Sequence, residues 1–263
     1  MWCEPPAELS LTNDEVHVWR AALDPPADSV RQLAQTLSPD EGERAARFHF
    51  ERDRRRFIAG RGVLRALLGR YLGLEPERVC FRYGPRGKPR LADVDDAPRF
   101  NLAHSHELAL YAFALDREIG VDLEHVRPMP DAGQIAARFF SPGENAAWLA
   151  LPESQRLEAF FNCWTRKEAY LKACGDGLAR PLDQFEVSLA PGEAAALLRV
   201  PGQEEEAARW WLHALEAADG YIAAMAVEIE MGRVRGDRDR EIDRERERGD
   251  ALAIRLFDYS AYG

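Results

Sequence analysis

The sequence is short of several things, and each shortage removes a class of protein. Only four of its 263 residues are cysteine (3, 80, 163 and 174), widely spaced and without a CxxC pair. That excludes a disulfide-stapled secreted scaffold and a zinc ribbon, and it predicts free thiols in a reducing cytoplasm. No apolar run approaches the roughly 20 residues that a bilayer-spanning helix requires. The opening Met1-Trp2-Cys3-Glu4-Pro5-Pro6 has neither the basic flank nor the apolar stretch of a secretory signal. Positive charge is in overall deficit, with 35 Lys and Arg against 45 Asp and Glu and a net charge of −10. Such a balance argues against non-specific nucleic-acid binding. No Gly-x-Ser-x-Gly elbow accompanies Ser105, so a hydrolase triad is unsupported.

What remains is an ordinary globular composition, 46% apolar and 30% charged, long enough for one large domain or two small ones. Within the acidic chain, positions 44–70 are a basic island with nine arginines against Glu51 and Asp53. That is either a solvated helix face or a local site for an anion.

The patterning predicts an opening strand at Val16–Trp19. A helix starts at Ser38-Pro39-Asp40-Glu41, where Ser is the N-cap, Pro the first helical residue and Glu41 the partner in a capping box. A longer helix runs from about Arg54 to Leu72, with Phe57, Leu64, Leu68 and Tyr71 on one stripe and Arg54, Arg61 and Arg65 on another beside it. Tyr83 to Pro89 is a loop by its Gly and Pro content, and Phe100–Ala103 is a short strand. Leu108–Leu115 and Ile119–Leu123, separated by Asp116-Arg117-Glu118, predict a hairpin of two buried strands. Helices are predicted at 131–140, at 142–150 and from Leu157 to Ala173, the last closed by Gly175. Phe185–Leu189 reads as a strand, and Trp210–Leu215 and Tyr221–Ile229 as an antiparallel pair. Residues 232–249 hold seven arginines, six acids and two aliphatics, too little apolar surface to fold alone. Leu252 to Tyr262 regains apolar character, to dock on the domain or on a partner.

Three clusters offer chemistry. Asp122 and Glu124 lie two apart on a strand and share a face, while Ile119, Val121 and Leu123 point the opposite way into a core. Paired acids on one face are either an exposed edge or an oxygen-donor site that suits Mg²⁺ better than zinc. In Trp164-Thr165-Arg166-Lys167-Glu168-Ala169-Tyr170-Leu171-Lys172, helical spacing puts Glu168 and Lys172 on one face, as a simple i,i+4 ion pair or as a third carboxylate with a counter-charge. In Ala103-His104-Ser105-His106, a strand-end histidine can donate to a phosphate.

The order of Gly87-Lys88-Pro89, Asn101-Leu102-Ala103-His104-Ser105, Ile119-Gly120-Val121-Asp122-Leu123-Glu124 and Trp164-Thr165-x-Lys167-Glu168-Ala169-x-x-Lys172 resembles the 4'-phosphopantetheinyl transferase family. Within it the likeness is to the two-lobed, surfactin-synthetase-activating type, and it covers roughly residues 38–190. It implies an α+β fold of two similar lobes, here 1–115 and 116–231 followed by the charged tail 232–263, with coenzyme A bound between them. It implies Mg²⁺ held by Asp122, Glu124 and Glu168, and Lys172 neutralising a pyrophosphate. His104 would contact the 3'-phosphate of coenzyme A, and the Gly87-Lys88-Pro89 loop, flanked by Arg86, would line the adenine pocket. Arg61 or its helix neighbour Arg54 would add phosphate contact. Glu144 matches a position proposed to help the metal or the attacking hydroxyl, so that Glu168 or Glu144 would accept the proton. Two departures stand out: Ala103 replaces a serine common before the histidine, and His106 stands where a small or polar residue is usual. The implied acceptors are acyl or peptidyl carrier proteins of polyketide, non-ribosomal peptide or fatty acid synthesis, served by a cytoplasmic monomer. Rival readings are a Mg²⁺-dependent nucleotide phosphohydrolase and a non-catalytic carrier-binding scaffold.

Overall fold

The computed structural model describes residues 1–84, 87–92, 94, 97–175, 180–229 and 252–259. In chain order these form β1 (Glu15–Ala22), α1 (Ala27–Gln35), α2 (Pro39–Ala46), α3 (Glu51–Leu72), β2 (Phe81–Tyr83), β3 (Pro89–Leu91), β4 (Arg99–Ser105), β5 (Leu108–Ala114) and β6 (Ile119–His125). There follow α4 (Ala132–Phe139), α5 (Pro142–Ala150), α6 (Glu153–Cys174), β7 (Glu186–Val187), β8 (Leu197–Arg199), β9 (Trp210–Leu215), β10 (Tyr221–Glu228) and β11 (Ala253–Asp258).

Two sheets carry the fold, one ordered β11-β1-β5-β4 and the other β6-β10-β9. Each is backed by a 22-residue helix, α3 on the first and α6 on the second. The period-2 rule explains the layering. On β5, Leu110, Ala112 and Ala114 join Ile119, Val121 and Leu123 of β6 in a core between the sheets. The alternate residues Ala109, Tyr111 and Phe113 pack under α3 instead. On β10, Ala223, Met225 and Val227 face the shared core, while Ala224 and Ala226 face α6. The larger of these buried side chains, such as Leu110, Val121 and Met225, each contribute about 1.5–3 kcal/mol, and strands covered on both faces read as nearly unbroken apolar runs. The α+β class expected from the sequence is the one observed.

Local signals hold at the helix ends. Ser38 and Glu41 form the capping box ahead of α2, and α3 and α6 close on left-handed Gly73 and Gly175. Two readings needed revision. The segments 108–115 and 119–123 are not a hairpin: β5 pairs with β1 and β4, whereas β6 pairs with β10. Asp116, at φ 51, turns the chain from one sheet into the other. Apolar character on both faces marks a middle layer as readily as a hairpin, and the sequence alone does not separate the two. The strand expected at 185–189 shrinks to the two residues of β7.

The apolar end of the tail docks on the domain itself. β11 runs parallel to β1 from Glu15↔Ala253 to Arg20↔Asp258, Phe257 packs against Trp19, and Arg20 forms an ion pair with Asp258. The charged stretch 232–249 lies outside the described residues. No disulfide joins any of the four cysteines, and among the described residues no helix is long and apolar enough to cross a membrane.

Candidate active site

The site is assembled where α6 crosses β6, and a glycine makes that crossing possible. A Cβ on Gly120 would overlap the Ala169 carbonyl oxygen and the Ala173 nitrogen, and would stand 3.0 Å from Ala173 Cα. With hydrogen alone at this position, the backbone of α6 lies directly on β6. Residues 122 and 124 share the face of Gly120, so their carboxylates point along the same side as α6. A second tie comes from β4, where buried Asn101 accepts a hydrogen bond at Oδ1 from the Val121 amide, at 2.9 Å.

Three elements therefore deliver charge to one place. Lys172 of α6 donates to Asp122 Oδ1 at 2.6 Å and to the Val121 carbonyl at 3.3 Å. Asp122 is only 6% exposed, and its other oxygen, Oδ2, is buried without a hydrogen-bond partner. Glu124 accepts at Oε2 from Ser105 Oγ at 3.0 Å, and the same hydroxyl accepts from the His125 amide. Burial raises the Glu168 carboxyl above the usual range, with the negative charge of Asp122 adding to the effect and Lys172 opposing it. Glu124 is likewise raised, first by burial and further by Asp122, against the Ser105 hydrogen bond. His104 sits beside the group, its pKa lowered by desolvation of the ring and by the nearby Lys172 ammonium.

Asp122, Glu124, Glu168, Lys172 and His104 are thus gathered as neighbours. Of the two readings of Glu168 and Lys172, the simple i,i+4 pair gives way to a cross-element pair between Lys172 and Asp122. Among the described residues no three His, Cys, Asp or Glu side chains form a ready metal-ligand set. Asp122 is turned to Lys172, and Glu124 to Ser105. The donor chemistry nevertheless fits a hard divalent cation. Three carboxylates face one ammonium, two of them are raised by burial and further by the neighbouring acids, and one buried carboxylate oxygen is unsatisfied.

Other expected site residues lie elsewhere. Glu144 is 3% exposed and structural: it completes the capping box of α5 with Ser141, accepts from the Val187 amide at 2.8 Å, and pairs with Lys167 at 2.8 Å. Lys167, 1% exposed, also donates to the Leu182 and Phe185 carbonyls. With its oxygens so engaged, Glu144 has nothing to offer a hydroxyl or a metal. Ala103 points into the core between the sheets and can present only backbone to a ligand. Arg61 lies 3.3 Å from Glu41 and over the Phe81 ring, in a cluster with buried Arg65, while Arg54 pairs with Glu51 on an exposed face. Neither is brought to the carboxylates. Lys88 is a staple, bonding Glu118 at 3.0 Å and the Ala173 carbonyl at 2.9 Å. Desolvation lowers its pKa, with Glu118 opposing. Its neighbours Gly87, at φ 79, and Pro89, which opens β3, shape the loop; Arg86 lies outside the described residues. Ser105, Gly120 and Asn101 stand in the recognised motifs, but the sequence assigned them no task. Gly120 alone gave a local signal, as a glycine inside an apolar strand.

Known proteins resemble this chain over most of its length. The family described as the 4'-phosphopantetheinyl transferase superfamily matches residues 118–226, and the 4'-phosphopantetheinyl transferase N-terminal family matches residues 21–116. The 4'-phosphopantetheinyl transferase HetI of Nostoc is 48% identical over 228 residues, 86% of this chain and 93% of that protein. A putative 4'-phosphopantetheinyl transferase of Synechocystis is 38% identical over 64% of this chain and 68% of its own length. The 4'-phosphopantetheinyl transferase Sfp of Bacillus subtilis is 34% identical over 58% of this chain and 66% of its own. Matched by these two families across residues 21–116 and 118–226, and 48% identical to a relative that it covers to 93%, the chain belongs to the 4'-phosphopantetheinyl transferases.

Proposed function

We propose that this enzyme moves the 4'-phosphopantetheine arm of coenzyme A onto a serine of an acyl or peptidyl carrier protein, and that its lobes 1–115 and 116–231 close on the coenzyme. The observation that carries this reading is the convergence of Asp122, Glu124 and Glu168 with Lys172 across β6 and α6, supported by the raised pKa of Glu124 and Glu168. Asp122, Glu124 and Glu168 would hold Mg²⁺, which when bound neutralises pyrophosphate oxygens. Lys172 supplies a second positive charge, delivered by an ammonium that β6 already holds at the site. His104 stands beside it to donate to a phosphate. The serine oxygen attacks the β-phosphorus, and the bond from that phosphorus to the leaving 3',5'-ADP oxygen breaks. Of the two carboxylates weighed as proton acceptor, Glu144 is engaged by Lys167 and Val187, which leaves Glu168. Ser105 orients Glu124, and Asn101 fixes β6 against β4.

Incubation with coenzyme A, Mg²⁺ and a panel of apo-carriers tests the proposal. Transfer adds the mass of phosphopantetheine to the carrier. The rival, a nucleotide phosphohydrolase, would consume coenzyme A and leave every carrier unchanged. Asp122→Asn and Glu168→Gln should each lower turnover by on the order of 10²-fold with the melting temperature retained. Near-wild-type turnover in both variants at saturating Mg²⁺ removes them as ligands.

A further inference from the structure

Phe48 and Phe50 link α2 to α3, and both lie open to solvent, at 38% and 63% exposure. Phe48 rests on Phe57, and Phe50 meets the edge of His49, at 4.9 Å. Phe50 also occupies the N-cap position of α3, without a side-chain cap. A serine or aspartate there would satisfy a helix amide, so phenylalanine is the less stable choice both for the helix and for its solvation. Around these rings the chain is at its most basic. Residues 44–56 hold six arginines and two acids, a local charge of +4 in a protein of −10. Arg44, Arg47, Arg52 and Arg54 are exposed. Apolar rings surrounded by guanidinium groups form the kind of surface that takes a protein partner presenting carboxylates about an apolar side chain.

A short chain of contacts leads from the patch to the carboxylate site. Arg56 of α3 approaches Glu107 to 3.5 Å at the tip of the β4–β5 hairpin, and Ser105, two residues away in that hairpin, donates to Glu124. From Arg56 back to Phe50 is six residues, about 9 Å along a helix. A partner seated on Phe50 is therefore within one domain's reach of Glu124.

We propose that the Phe48–Phe50 link and its flanking arginines Arg47 and Arg52 dock the carrier protein through an acidic face, and so set which carriers are used. This rests on the transfer reading above. The arginines would raise the encounter rate and the phenylalanines would hold the complex.

The test is steady-state transfer to a carrier that the wild-type enzyme modifies, with Phe50→Ser, Arg47→Glu and Arg52→Glu and the double variant Arg47→Glu/Arg52→Glu. Phe50→Ser installs a capping residue, so folding is not endangered, and thermal unfolding verifies each variant. The expected result is a carrier KM raised about tenfold or more, with the KM for coenzyme A and kcat within about twofold. A carrier with surface acids changed to lysine should be a poor substrate of the wild-type enzyme and a better one of Arg52→Glu. An unchanged carrier KM in all variants overturns the docking surface while leaving transfer intact. So does an enzyme dimer that Phe50→Ser dissolves without affecting carrier KM, since the patch then serves a second copy of the chain. Absence of transfer by the wild-type enzyme refutes the transfer reading itself, and the docking surface with it.

Discussion

Gly120→Ala is the sharpest perturbation the fold offers, because one methyl group would act on both stability and chemistry. The added carbon would overlap Ala169 O and Ala173 N and reach Ala173 Cα at 3.0 Å. Heavy atoms at optimal separation stand about 3.5–4.0 Å apart, so α6 must retreat from β6 by about 1 Å. No side-chain rotation relieves the conflict, since the opposing atoms are backbone. Overpacking usually costs about 1–3 kcal/mol, and this site belongs at or above the top of that range. The retreat also carries Glu168 and Lys172 away from Asp122, stretching the 2.6 Å contact of Lys172. A misplacement of that size in a catalytic site costs on the order of 10²-fold in rate. Urea unfolding gives the first quantity, and carrier phosphopantetheinylation under saturating substrates gives the second. Gly42→Ala is the control: nothing lies within 4 Å of a Cβ there, and it should leave activity intact and raise stability by about 0.4–1 kcal/mol. A Gly120→Ala enzyme within about 0.5 kcal/mol of wild type and with undiminished turnover would show that the close crossing of α6 over β6 does not build the site.

Three further outcomes follow from buried groups away from the reaction. Lys167→Met leaves the Glu144 carboxylate buried without its cation and should destabilise by roughly 3–5 kcal/mol; adding Glu144→Gln should recover part of the loss in denaturant titrations. His17, packed between β11 and Tyr71, has its pKa lowered by burial, with Glu15 opposing. The unfolded chain binds the proton at about pH 6.5 and the folded chain only at lower pH. The stabilisation is therefore complete above the unfolded value and is lost as pH falls through the folded one. His17→Gln should flatten the decline of stability between pH 7 and 5, and an unchanged slope would contradict this assignment. Phe257→Ala removes a ring that packs on Trp19 at 4.8 Å and should cost roughly 3–5 kcal/mol, which would make β11 part of the folding unit; a loss below about 1 kcal/mol would make it a dispensable appendage.

The features legible in the sequence were those decided within a few residues. Ser38, Pro39 and Glu41 announce a helix start, Gly175 a helix end, and the alternation of Val121, Asp122, Leu123 and Glu124 divides a core face from a reactive face. These depend on period and capping, which operate along the chain. Partnership across the chain was not legible in the same way. Lys172 has Glu168 one helical turn away but bonds Asp122, because the α6–β6 crossing brings that buried carboxylate within 2.6 Å of it. Lys88 and Glu144 appear in the motifs as charged residues, and charge alone does not reveal whether a side chain faces a ligand or neutralises a buried neighbour. The docking of β11 on β1 is not legible for a related reason, since a parallel partner more than 230 residues distant leaves no periodic trace.

The resemblance to a family reached further than periodicity, yet it treated every residue of a motif alike. The structure divides them. Asp122, Glu124, Glu168, Lys172 and His104 present charge to a common space. Gly120, Asn101, Lys167 and Ser105 hold the elements that carry those charges. Loss of a residue in the second group should shift position and stability together, as in Gly120→Ala, whereas loss of one in the first should lower turnover and leave the fold standing. That separation of effects, measured in the same variants, distinguishes a site that reacts from the frame that aims it.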